Sequence, residues 1–164
     1  MITYLIILLI SFFLDGIMSN YFTSITLHIS LFNTIYTVIA LSCIANYFSN
    51  KKKYIILIGL TGLCFDIVYT NTFLLNVFIF IIIGLNVILL NSKLPNNILY
   101  NALISFINVC LYYILTYLIL IMTDYININI SILLHILICS IIMSIIYSII
   151  LTFILNKLSL KNIK

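Results

Sequence analysis

The chain has no tryptophan, one proline, four glycines and very few charges: seven lysines and three aspartates are its only charged side chains, 6% of 164 residues. A water-soluble domain carries about a quarter charged residues, so that fold class is excluded. Arginine and glutamate are absent, and the lysines form no broad basic face of the kind that tracks phosphates, so a nucleic-acid surface is excluded as well. The four cysteines, Cys43, Cys64, Cys110 and Cys139, stand apart, with no C-x-x-C pair and no histidine at metal-ligand spacing. They read as packed or lipid-facing thiols, and neither a disulfide framework nor a metal site is expected. The first residues lack a basic n-region and an A-x-A site, which predicts a retained first span.

What fills the chain is hydrocarbon. Hydrophobic residues make up 65% and the mean hydropathy is +1.36. Apolar runs near or above the ~18 residues of a membrane span recur between short polar interruptions. The sequence predicts one all-α membrane domain over residues 1–164, a bundle of six spans at residues 2–18, 29–48, 54–69, 73–90, 98–122 and 130–155. Small and amide residues recur at helical spacing: Asn33, Thr37 and Ala40 on span two, Asn101, Ser105, Asn108 and Tyr112 on span five, and Ser140, Ser144, Ser148 and Thr152 on span six. Such rows are expected to face other helices, where small side chains admit close backbones and amides bond across. With six spans every lysine falls on one side and Asp15, Asp66 and Asp124 fall toward the other. Because cytoplasmic loops carry the excess of lysine, both termini and Lys51 to Lys53 are predicted to be cytoplasmic.

The most informative stretch runs from Gly59 to Asn76. Gly59, Gly62 and Asp66 share one side of span three, so the flank open to a close helix is also where an acid projects. Asp66 follows Lys53 by thirteen residues, about 20 Å along a helix, within a hydrocarbon layer about 30 Å thick. A carboxylate there needs a protein partner, a wet cavity or a proton. It is expected to bond the turn Thr70 to Thr72, Asn76 or span six, unless it reaches water at the helix end. His135 lies four to five residues into span six from the same side, and either meets Asp66 or bonds a backbone carbonyl or hydroxyl. Asp15 and Asp124 border outer connectors, where solvation is the expected fate. No nucleophile with its base, H-E-x-x-H helix or phosphate-cradling loop is present, so no catalytic residue, metal or cofactor is expected.

Six short spans, the lysine-rich loop after the second, and Gly59-x-x-Gly62-x-x-x-Asp66 followed by a turn and Asn76 resemble the rod shape-determining membrane protein MreD family. The family's corresponding stretch reads as a glycine-containing helix, Leu or Phe, Asp, a polar turn, then Gly-Leu-Asn or Gly-Leu-His. Here Asp66 and Asn76 match, Thr70 to Thr72 supply the turn, and Leu74 stands where a glycine is frequent. The resemblance implies a non-enzymatic scaffold in a bacterial plasma membrane. It would bind the single-span protein MreC and, through it, connect MreB filaments to the elongation transglycosylase and transpeptidase. It also implies a fold similar to the substrate-binding S components of energy-coupling-factor vitamin importers, which supply the rival function. Those components contact their partner through Ala-x-x-x-Ala on the first span, and residues 1–21 contain no alanine. Nor does the chain have the tryptophan, glutamate or arginine that would favour tight binding of a polar vitamin.

Overall fold

The computed structural model describes residues 2–25, 35–48, 50–70, 72–95, 97–124 and 130–161. Six α-helices occupy them: α1 (Ile2–Ile25), α2 (Tyr36–Ile44), α3 (Lys51–Phe65), α4 (Leu75–Lys93), α5 (Ile98–Met122) and α6 (Ile130–Lys161). A 3-10 turn, Ala45–Tyr47, extends α2, and a π turn, Asp66–Thr70, extends α3. Consecutive helices pair as hairpins, α1 with α2, α3 with α4 and α5 with α6, and α2 also packs on α4, α5 and α6. Tyr4 of α1 stacks on Tyr47, Tyr47 bonds Asn156 near the end of α6, and Asn46 bonds Asn101 in α5. These contacts gather Lys51 to Lys53, Lys93 and Lys157 at one end of the bundle, called here the lysine end. The aspartates lie toward the other.

Among the described residues, four segments are long and apolar enough to cross a membrane: Lys51–Thr70, Leu75–Lys93, Ile98–Met122 and Leu133–Leu158. The first two helices differ from the expected spans. In α1 the helix continues past residue 18 to Ile25, so Asp15 sits inside it rather than at its end. The expected second span shrinks to α2 and its 3-10 turn, about 18 Å at 1.5 Å per residue, while residues 29–34 and with them Asn33 lie outside the described part. Every residue from Tyr36 to Ile44 is buried. An apolar helix of this length is an internal core element rather than a lipid-facing span, and α2 forms the axis of the bundle, with Val38, Ile39 and Ile44 set among Ile58, Phe80, Ile83, Val109 and Leu155. The remaining boundaries shift by a turn or less, except that α6 runs on through Lys157 to Lys161. α4 includes Lys93, and the chain turns only at Leu94, ahead of Pro95.

Polarity is distributed as in a protein dissolved in lipid. The outer faces carry Ile56, Leu60, Phe73, Leu89, Ile142 and Phe153, all exposed, whereas Ser105, Asn108, Ser140, Ser144, Ser148 and Thr152 are buried at 0–1% exposure. Both polar rows of α5 and α6 therefore point inward. Asn86 Nδ2 donates to Asn108 Oδ1 at 2.9 Å, a rung between α4 and α5. The serines of α6 return their hydroxyls to their own helix, Ser144 to Ile141 O at 2.8 Å and Ser148 to Ile145 O at 2.9 Å. What they lend the interface is mainly small size.

The two glycines of α3 behave differently. A methyl group on Gly62 would lie 2.8 Å from Val77 Cα and 2.9 Å from Asn76 O, both backbone atoms of α4. At Gly59 it would meet nothing within 4 Å, so the expectation that Gly59 admits a neighbouring backbone within the chain is not met. The helix turns its close flank to α4 at Gly62, and one turn earlier that flank has rotated away. Gly62→Ala should cost about 1–3 kcal/mol, since two backbones must part. Gly59→Ala should be neutral or gain roughly 0.5–1 kcal/mol through helix propensity. Reversible unfolding in mixed detergent micelles measures both, and equal destabilisation by the two would refute the assignment of the contact to Gly62.

Candidate functional site

A helix starts with four N–H groups that have no partner in the helix itself. α4 begins after Leu74, whose side chain offers no cap and whose backbone is left-handed, φ 59° and ψ 7°. Asp66 supplies the missing acceptors from across the turn. Its Oδ1 accepts from Asn76 N at 3.0 Å and its Oδ2 from Val77 N at 3.3 Å. Asn76 Nδ2 donates to Oδ1 at 2.9 Å, and the hydroxyls of Thr72 and Thr70 donate to the same oxygen. The π turn Asp66–Thr70 holds Thr70 one turn beyond the acid, within 3.3 Å of it. Asp66 is buried at 2% exposure, so its negative charge is met by hydrogen bonds and by the positive end of the α4 dipole. Asn76 then passes the network to α5, its Oδ1 accepting from Tyr112 Oη at 3.0 Å.

The same device occurs in the first hairpin. α2 begins after Ile35, again with no side-chain cap. Asp15 of α1 is buried and accepts from Tyr36 N at 2.6 Å and Thr37 N at 3.0 Å. The Thr37 hydroxyl donates to it as well. The expectation of a solvated Asp15 is thereby corrected: the acid caps a helix whose start lies inside the bundle. Asp15 and Asp66 each lie about 20 Å from the lysine end of their helices. Tyr69 ties the two hairpins together at this level, its hydroxyl donating to Phe12 O at 2.6 Å while its ring covers Gly16. Asp124 ends the third hairpin's first helix with φ 54° and is exposed.

Of the sequence candidates, Gly62, Asp66 and Asn76 come together in one network, and Gly59 does not join it. His135 is exposed on α6. Thr70 and Thr72 of the turn and Asn76 and Val77 of α4 bond Asp66. Tyr112 joins this network through Asn76, and Asp15 forms a separate cap on α2; neither is singled out by the sequence. Beside the network, at the aspartate end, lies a cavity of about 490 Å³ lined by Thr70, Thr72, Asn76, Tyr112, Thr116 and Thr123, with leucine and isoleucine side chains between them. Among the described residues no three His, Cys, Asp or Glu side chains converge on a metal position. Comparison with protein-family models, with curated proteins and with solved structures finds no match.

Replacing Asp15 or Asp66 by leucine removes every acceptor and strands N–H groups in an apolar interior, at about 1–3 kcal/mol per group. Each variant should therefore lose roughly 3 kcal/mol or more, which detergent unfolding and the yield of folded protein report. Asp124→Leu should stay within about 0.5 kcal/mol of wild type. In the same assay Leu74→Gly should gain about 1 kcal/mol, because a left-handed backbone is strained for any residue with a Cβ. An unchanged Asp66→Leu protein would refute the capping role.

Proposed function

We propose that the chain is a non-enzymatic membrane scaffold of the bacterial cell-elongation machinery, related to the MreD family. In this reading it lies in the plasma membrane with the lysine end and both termini in the cytoplasm. It binds an MreC-like single-span protein, and through that protein helps couple MreB filaments to the elongation transglycosylase and transpeptidase. The observation that carries this assignment is the backbone of Leu74. It occupies the position where the resembling motif has glycine, and its left-handed conformation is one that glycine adopts without cost. Asp66 and Asn76, the polar members of that motif, bond each other around the same turn. A motif whose residues are needed jointly to close a hairpin supports kinship more strongly than hydropathy alone.

The rival, an importer's substrate-binding subunit, is favoured by one observation, the cavity at the aspartate end. Affinity capture of the tagged protein from its native membrane separates the two. A scaffold should bring down a single-span protein with an external coiled coil, and that recovery should be lost in Asp66→Leu and kept in Asp124→Leu. Recovery of an ATPase pair with a second multi-span subunit would overturn the scaffold assignment. A cysteine placed at Phe73, which is 91% exposed, should react with an impermeant thiol reagent from outside the cell, and reaction only after permeabilisation would invert the orientation.

A further inference from the structure

Ile58 of α3 fills the space beside Gly84 of α4, which fixes the register of this antiparallel hairpin. Lys51 lies seven residues before Ile58 and Asn91 seven after Gly84, in each case about two turns nearer the lysine end on the same face. The two side chains therefore stand level across the mouth of the hairpin. Between them opens a cavity of about 200 Å³, lined also by Ser92, Phe48, Tyr54 and Ile88. Tyr54 is buried, its hydroxyl donating to Leu41 O at 2.9 Å and its ring lying beside that of Phe48, so the inner wall is aromatic. Lys51 brings a compact charge with three donors and Asn91 an amide with two, and the first turn of α3 adds the positive end of its dipole. Carbonyls at the end of α4, which would repel an anion, are occupied: Leu89 O accepts from Ser92 Oγ at 2.7 Å and Leu90 O from Leu94 N at 3.0 Å. Asn46, also in the lining, gives its amide to Asn101 Oδ1 at 2.9 Å. Lys52, Lys53 and Lys93 adjoin the lining residues in the chain, whereas all three acidic side chains, Asp15, Asp66 and Asp124, lie toward the other end. An anion that meets these cations comes from outside the protein's side chains.

From the level placement of Lys51 and Asn91 across this cavity we propose that it binds the head group of an anionic phospholipid, with both side chains donating to the phosphate oxygens. The lysine end lies at a membrane surface, because α3 begins there and α4 ends there, and both are long enough to span. The volume, below the ~300 Å³ at which small-molecule sites begin, takes a head group alone. The acyl chains stay outside, along an apolar strip of α4 where Leu85 and Leu89 are exposed. Leu85 lies seven residues before Ser92 and so on the same face. A soluble phosphate ester gains nothing from that strip. A zwitterionic lipid carries the same phosphate, but its own ammonium would be brought among lysines, where like charges repel; a basic pocket between spans selects the anionic head. The site is independent of the scaffold assignment, which partner capture tests without reference to lipid.

The full-length protein in a neutral detergent is offered phosphatidylglycerol, phosphatidylcholine and phosphatidylethanolamine with matched acyl chains, and native mass spectrometry counts the lipid retained. Phosphatidylglycerol should be held preferentially and saturably. Lys51→Ala should weaken that binding about tenfold or more, since a charge-assisted contact is lost. Its melting temperature should stay within a few degrees of wild type, because the side chain is exposed. Lys157→Ala removes the same charge from α6 at the same end, away from the cavity lining, and should leave the affinity within about twofold. Equal retention of the three lipids overturns the proposal on the unaltered protein. Equal weakening by the two lysine variants, or undiminished affinity in folded Lys51→Ala, overturns it as well. Inorganic phosphate assigns the source: persistence of the lipid at millimolar phosphate supports the head-group site, and displacement would make free phosphate the occupant and overturn the lipid assignment.

Discussion

A buried carboxylate and a helix that starts inside an apolar interior are each costly alone, and in this protein each removes the other's cost. Asp15 with α2 and Asp66 with α4 form two such pairs. In hydrocarbon there is no water to satisfy either party, so a stranded acid or stranded N–H groups are penalised by several kcal/mol. Together they make charge-assisted hydrogen bonds aligned with a helix dipole. The architecture follows from this. α2 can be short and central because its first turn is capped from α1, and the α3–α4 hairpin can close tightly at Gly62 because the acid one turn later fixes where α4 begins.

The interior between these caps is specified less by hydrophobicity than by size and polarity. Lipid is as apolar as the core, so burying leucine there yields little, and discrimination falls to groups that lipid cannot satisfy. The α4–α5 contact carries two amide-based rungs, Asn76 with Tyr112 and Asn86 with Asn108. α6 instead presents a smooth row of small residues, with Thr152 and the carbonyl of Ser148 meeting Cys43 of α2. Tyr147 adds a lateral tie, sharing a 2.8 Å hydrogen bond with Ser11 of α1.

The legible parts of this design are those written within one helix or across one turn. Period-four rows on α5 and α6 show their inward face, because the helical repeat is local. Asp66 shows its partners because the turn and Asn76 lie within ten residues. Asp15 did not, since its partners lie 21 and 22 residues away and α2 opens on Ile35, which carries no capping signature. Hydropathy counted the second segment as a span because an apolar core helix and a lipid-facing one have the same composition, and only length, set by an unmarked start, separates them. Gly59 and Gly62 illustrate the same limit: sequence gives the side of the helix, while the height at which the neighbour crosses comes from packing. Tyr112 joined the expected stripe of α5, but its bond to Asn76 depends on the relative height of two helices.

Because peptide dipoles compensate the two buried acids, they need no lysine as a counter-ion, and Lys51 to Lys53, Lys93 and Lys157 are not drawn into the bundle. All the described lysines remain at one end, and the molecule as a whole is electrically polar along its axis. A transmembrane voltage acts on such an object as a torque: carrying one elementary charge across 100 mV is worth about 2.3 kcal/mol, so the two possible insertions differ in energy through the cations alone. The caps thus decide, without touching a single lysine, that the chain's positive charge stays free to respond to the field in which it is embedded.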